Sequence, residues 1–199
     1  MTTPPVLVLP LRYGEADPPD PADTYGATKL LGEVTGPGCL TLRTTFFGAL
    51  PTGAGLLNWL AGQGGGRVEG YAGYRFSGLS TACLAAAIED LLRRPHRITG
   101  LRHVGGEAIT KFDLLSAVRD ALQLPTEITP QPLPVVDRTL DSRRFWGELG
   151  QPVPTLAAML PGVVAELRAQ TRPKSPEAPA APITLPHPTG MPGATPVQP

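Results

Sequence analysis

Cysteine, unbalanced charge and long apolar runs are all scarce in this chain. It has two cysteines, Cys39 and Cys83, both in apolar surroundings. Two thiols exclude a disulfide-rich scaffold; each reads as a small core residue, and a disulfide between them is not indicated. Seventeen Lys and Arg are matched by seventeen Asp and Glu. No basic cluster is interleaved with aromatics, which argues against a nucleic-acid surface. No apolar run approaches the length of about 20 residues that spans a bilayer. No basic stretch followed by an apolar core opens the sequence, so neither a membrane span nor a signal peptide is expected, and the cytoplasm is the default compartment.

Several catalytic and metal signatures are also missing. His96, His103 and His187 are scattered and no Cys/His group has zinc spacing. Asp17, Asp20 and Asp23 are interrupted by prolines and lack the glycine and terminal glutamate of a calcium loop. No metal site is expected. There is no G-x-S-x-G and no P-loop. The glycine-rich run from Gly62 to Gly66 ends an apolar helical pattern, so it reads as a helix stop and flexible turn rather than a phosphate cradle.

Proline (25) and glycine (23) are abundant, and this holds the apolar fraction to 41%. They divide the chain into an irregular, proline-rich lead-in over 1–21, a middle over 22–169, and a Pro/Ala/Thr tail over 170–199. The tail has almost no large apolar residue to bury and is expected to be disordered; it reads as a plain extension or as a polyproline-type docking ligand.

The middle alternates helical and strand patterns, which argues for an α/β class. Thr24 is expected to cap a helix running to Glu33 or Val34, with Gly36-Pro37 stopping it. Cys39 to Thr45 alternates as a strand does. Leu56 to Ala61 suggests a short helix. Ser80 caps a helix carrying Cys83, Leu84, Ala87, Ile88, Leu91 and Leu92. Leu101 to Val104 suggests a strand. Thr110 caps a helix through Leu122, and Thr126 to Thr129 suggests a further strand. Asp141 opens a helix to Leu149, and Thr155 one through Leu167.

The most informative stretch is Tyr25-Gly-Ala-Thr-Lys29. Residues four apart in a helix lie on one face. An ammonium beside a phenol favours the phenolate, and such a phenol suits protonation of a carbonyl being reduced by hydride. On spacing alone the pair reads first as a surface contact.

The surroundings add weight. Tyr13-Gly-Glu-Ala-Asp-Pro-Pro-Asp20 and Pro21-Ala-Asp-Thr24 lead into Tyr25-Gly-Ala-Thr-Lys-Leu-Leu-Gly-Glu33. This resembles the extended short-chain dehydrogenase/reductases acting on nucleotide sugars, most closely the dTDP-4-dehydrorhamnose reductase group. Leu40-Thr-Leu-Arg-Thr-Thr-Phe-Phe-Gly48, Phe76-Ser-Gly-Leu-Ser-Thr81 and Asp137-Arg-Thr-Leu-Asp-Ser-Arg-Arg-Phe145 follow in family order, so the resemblance covers roughly residues 10 to 168. It implies the C-terminal part of a Rossmann-type parallel sheet with a small substrate-binding lobe. The family's G-x-x-G-x-x-G does not occur here, so the resemblance implies a chain lacking the N-terminal Rossmann half.

The resemblance also implies roles. Tyr25 would be the general acid, and Lys29 would lower its pKa and bond the nicotinamide ribose of NADPH or NADH. Thr2 falls where the family has an assisting hydroxyl, although a residue beside a chain end is poorly held. Thr44 would border the nicotinamide, while Thr45, Phe46 and Arg138 would meet a nucleotide-sugar substrate, Arg138 through a phosphate. Read by type alone, Thr44 and Thr45 fit β-propensity, Phe46 a core aromatic, and Arg138 a solvated or helix-capping residue. Asp137, Asp141 and Arg143 are expected to shape a helix start. The implied activity is NAD(P)H-dependent reduction of a nucleotide-linked 4-keto sugar, impaired here because most cofactor contacts would be absent; the alternative is a non-catalytic sugar-nucleotide or protein-binding module. A homo-oligomer is left open.

Overall fold

The structure, a computed structural model, describes residues 12–21, 23–34, 36–93 and 98–171. Thr2, most of the lead-in and nearly all of the 170–199 tail lie outside these residues. In chain order the elements are α1 (Thr24–Leu31), β1 (Leu40–Thr44), β2 (Phe46–Phe47), α2 (Leu56–Ala61), β3 (Gly66–Tyr71), β4 (Tyr74–Phe76), β5 (Leu79–Ser80), α3 (Thr81–Arg93), β6 (Gly100–Val104), β7 (Ile109–Thr110), α4 (Lys111–Leu122), β8 (Thr126–Gln131), β9 (Val136–Arg138), α5 (Arg143–Leu149) and α6 (Leu156–Thr171).

The strands form short, mostly parallel pairings. β1 runs parallel to β6 with Arg43 opposite His103. β2 is parallel to β5, and β3 to β8. β4 lies between antiparallel β7 and parallel β9. With helices packed on these strands, the molecule is α/β and corresponds to a partial Rossmann-like fold.

Helix α4 anchors the core. Thr110 Oγ1 accepts from the Asp113 amide at 3.0 Å, and the Asp113 carboxylate accepts from the Thr110 amide at 2.9 Å. This reciprocal box satisfies two amides that a helix start leaves open. Leu114, Leu115 and Val118 then form a fully buried stripe. They join Leu57 and Leu60 of α2, Val163 and Leu167 of α6, and Leu79 in one apolar cluster. Phe145 and Trp146 of α5 meet edge-on at 5.0 Å. Trp146 Nε1 donates to the Gly105 carbonyl at 2.7 Å, giving the buried indole its acceptor. Gly105 cannot carry a side chain there, because a Cβ would lie 2.6 Å from the Ser77 carbonyl oxygen.

Several element ends differ from the sequence reading. The cap of α1 is Asp23, whose carboxylate accepts from the Gly26 amide at 2.7 Å; Thr24 is the first helical residue. Both types cap, and the extended backbone at 23 decides between them. The helix ends at Leu31 rather than at Glu33 or Val34: the Glu33 amide turns to the Leu30 carbonyl, three residues back, instead of continuing the ladder to Lys29. The glycine run does stop a helix, with Gly62 capping the end of α2, and its last glycine, Gly66, opens β3. α5 starts at Arg143 rather than Asp141: Asp141 accepts from the Arg143 amide, while Asp137 accepts from the Thr139 amide, outside any helix. α6 runs to Thr171, past Leu167 and past the 169 boundary.

Candidate functional site

Two adjoining clefts flank α1. The first, about 890 Å³, lies between α1, the segment from Tyr13 to Pro21, and the faces of β1 and β6. The second, about 740 Å³, runs from α1 past Phe46 toward Tyr74 and Lys111. Tyr25, Gly26, Arg43, Thr44, Phe46 and Arg138 line both.

The Tyr13–Pro21 segment is fixed from two sides. The Tyr13 amide donates to the Thr139 carbonyl and its carbonyl accepts from the Asp141 amide, each at 2.9 Å. Asp17 accepts from the Gly14 amide at 2.6 Å. This brings the chain to Asp23 and hence to α1. Helical spacing then places Lys29 Nζ 5.3 Å from the Tyr25 ring centroid, within cation–π range. Tyr25 is 72% exposed, so its phenol is open to a ligand.

Beneath α1, Arg43 makes a two-pronged ion pair with Glu33, Nε to Oε1 at 2.6 Å and Nη2 to Oε2 at 2.8 Å. The Arg43 hydrogen bond holds the Glu33 carboxyl below its ordinary range. Across the strand pair, His103 is 1% exposed, with Nδ1 3.0 Å from the Tyr13 carbonyl and its amide donating to Glu15. A carbonyl needs a donor, so Nδ1 carries the proton in the neutral ring. Nε2 has no protein partner. Burial pushes the His103 pKa below its usual value, with the Arg43 charge in the same direction; the Tyr13 contact, Glu15 and Asp141 oppose this without reversing it.

At the far end of the second cleft, Lys111 Nζ lies 3.8 Å from the Tyr74 ring centroid and 5.9 Å from that of Tyr71. The Arg138 guanidinium carbon lies 5.8 Å from the Tyr74 centroid. Desolvation, then the Arg138 charge, lowers the Lys111 pKa.

The candidates named from sequence therefore come together, except Thr2, which lies outside the described residues. Tyr25, Thr44, Phe46 and Arg138 line both clefts, Lys29 the first and Thr45 the second. Phe46 is 56% exposed, which removes the core-aromatic alternative. Arg138 is on strand β9 and caps no helix. Sequence reasoning missed His103, set aside as scattered, and the pair Tyr74 and Lys111. Tyr74 belongs to a three-residue strand, and Lys111 directly follows a cap, where a lysine carries no pattern of its own.

No protein-family model matches the sequence, and no curated protein matches it. Solved structures do. A hypothetical dTDP-4-dehydrorhamnose reductase from Sulfolobus tokodaii aligns with TM-score 0.60 and 30% identity, over 73% of this chain and 55% of that one. The dTDP-4-dehydrorhamnose reductase of Bacillus anthracis, solved with NADP, gives 0.66 and 18% over 80% and 61%. A UDP-N-acetylglucosamine 4-epimerase from Bacillus cereus gives 0.57 and 15% over 81% and 59%. The chain thus spans 55% to 61% of the length of these structures. Over most of its described length, the chain carries the fold of the dTDP-4-dehydrorhamnose reductases and the related nucleotide-sugar reductases and epimerases.

Proposed function

We propose that this chain serves the NAD(P)H-dependent reduction of a nucleotide-linked 4-keto sugar. The observation that carries the reading is the pairing of Tyr25 with Lys29 on one face of α1, at clefts shared with Arg43, Thr44, Phe46 and Arg138.

The donors present suit the nicotinamide end of a dinucleotide: Tyr25 and Lys29 from α1 and Thr44 from β1 offer a phenol, an ammonium and a hydroxyl to the first cleft. When bound, the reduced nicotinamide supplies a hydride to the carbonyl carbon. The chain's own task is the proton. Tyr25 delivers its phenolic proton to the carbonyl oxygen as negative charge develops there. Lys29, beside the ring, stabilises the phenolate that remains, and its other donors hold the ribose. Thr44 would border the nicotinamide. Thr45 and Phe46 flank the sugar, Phe46 through its exposed ring face. Arg138 meets the phosphate, for which a forked guanidinium is suited.

The test is NADPH oxidation with a dTDP-linked 4-keto-6-deoxyhexose. Tyr25→Phe should cut turnover by roughly 10²–10⁴-fold, the range for loss of a general acid, with an unchanged far-UV circular dichroism spectrum. Turnover indifferent to Tyr25→Phe, or absent from the native chain, would remove the reading.

A further inference from the structure

The two clefts differ in charge. Asp17, Asp20, Asp23, Glu33 and Asp137 line the first together with Lys29, Arg43 and Arg138, whereas the described lining of the second includes Arg43, Lys111 and Arg138 and no carboxylate. Arg43 is answered by Glu33. Among the described residues, Lys111 and Arg138 enter no ion pair.

The fold nevertheless brings these two cations to one ring. Tyr74 reaches the cleft from β4, Arg138 from neighbouring β9, and Lys111 from the capped first turn of α4. The ring attracts each of them, but they repel one another, and partial burial of Lys111 weakens the solvent screening between them. A ligand with two negative charges relieves that repulsion and pairs with both, one through a fork of N–H groups and one as a compact ammonium.

We propose that Lys111 acts with Arg138 to grip a diphosphate, and that Lys111 is the residue selecting diphosphate over a single phosphate. The inference rests on the phosphate role given to Arg138 above and adds the second cation and the preference it creates. The diphosphate is that of the nucleotide-linked sugar rather than that of the dinucleotide, because Lys111 lines the second cleft and not the first, whereas Lys29 lines the first and not the second.

Isothermal titration of the full chain with inorganic pyrophosphate and orthophosphate, without nicotinamide, tests this. The native chain should bind pyrophosphate at least ten-fold more tightly than orthophosphate. Lys111→Met, which removes the charge and keeps an unbranched apolar side chain, should abolish that preference while the melting temperature holds. Arg67→Gln, at an exposed ion pair with Glu127, should leave it intact. Titration with dTDP-glucose and with NADPH separates the two sources of diphosphate, and Lys111→Met should weaken the first by ten-fold or more and spare the second. Equal binding of the two anions by the native chain, an unchanged preference in Lys111→Met, an equal loss in Arg67→Gln, or a loss confined to NADPH would each overturn the inference. None of these titrations needs turnover, so a chain that grips pyrophosphate but lacks reductase turnover would leave this proposal standing while the proposed function fell.

Discussion

Helices α1 and α4 both present a lysine to the clefts, yet they are held in opposite ways. α1 has eight residues and buries none of them. An isolated helix of that length is marginal in water, so α1 depends on Asp23, on the Tyr13–Pro21 segment and on the Glu33–Arg43 pair that follows it. α4 has twelve residues, a reciprocal cap and three fully buried side chains. The proposed proton chemistry therefore rides on an element that contributes little to global stability, and the proposed anion grip on one that contributes much. Elements at binding sites are commonly drawn from the weakly held end of a structure. Here that separation makes Tyr25 and Lys29 replaceable without unfolding, while substitutions along the buried face of α4 reach the core.

The sharpest way to break this contrast is a pair of leucine truncations. Leu114 on α4 is 1% exposed and touches the central cluster. Leu114→Ala should cost about 3 kcal/mol, combining lost transfer energy with a cavity. Leu30→Ala, at a half-buried position of the otherwise mostly exposed α1, should cost less than about 1 kcal/mol, since little apolar area leaves water there. Urea unfolding of the two variants measures both. Comparable losses would mean that α1 belongs to the cooperative core after all.

The same division governs what the sequence made legible. Elements with a cap and an apolar stripe were readable: Thr110 with Leu115 and Val118, Ser80 with Ala87 and Leu91, and Leu101 to Val104 as a strand. β3 was not, because Arg67-Val-Glu69 puts charge on its solvent face and Gly70 on its packed face. That glycine is needed, since a Cβ would lie 2.9 Å from the Phe112 ring, and a strand with a glycine at its packed position carries no β signal. At the site, Tyr25 and Lys29 were found because their spacing is local. Tyr74, Lys111 and Arg138 converge from three elements, and nothing along the chain joins them. His103 was invisible for another reason: its partners are the Tyr13 carbonyl and the Glu15 carboxylate, about ninety residues away.

His103 also ties the α1 approach to pH. Its native pKa is depressed by burial, so between the ordinary histidine value near 6.5 and the lower native value the unfolded chain binds the extra proton. Stability is then present above pH 6.5 and is lost as the pH falls below it, at up to about 1.4 kcal/mol per unit. His103→Asn keeps an N–H toward the Tyr13 carbonyl and removes the titration. Guanidinium melts between pH 7 and pH 5 should show a steeper decline for the native chain than for this variant. Parallel profiles would mean that His103 is not held neutral.

The smallest effects come from the two caps, and they divide the helices most finely. Thr110→Ala removes a side-chain acceptor from a helix whose formation is part of global folding, so the cost of about 1 kcal/mol for a lost cap should appear in full in the unfolding midpoint. Asp23→Ala removes an equivalent bond from α1. If α1 frays independently of the core, that cost falls on the local equilibrium and the global midpoint stays unchanged. The local change should appear as faster amide exchange over residues 24–31, by about the five-fold that 1 kcal/mol represents, with exchange in α4 unaltered. A lowered global midpoint in Asp23→Ala would couple the two helices, and substitutions at Tyr25 would then have to be read for folding as well as for chemistry.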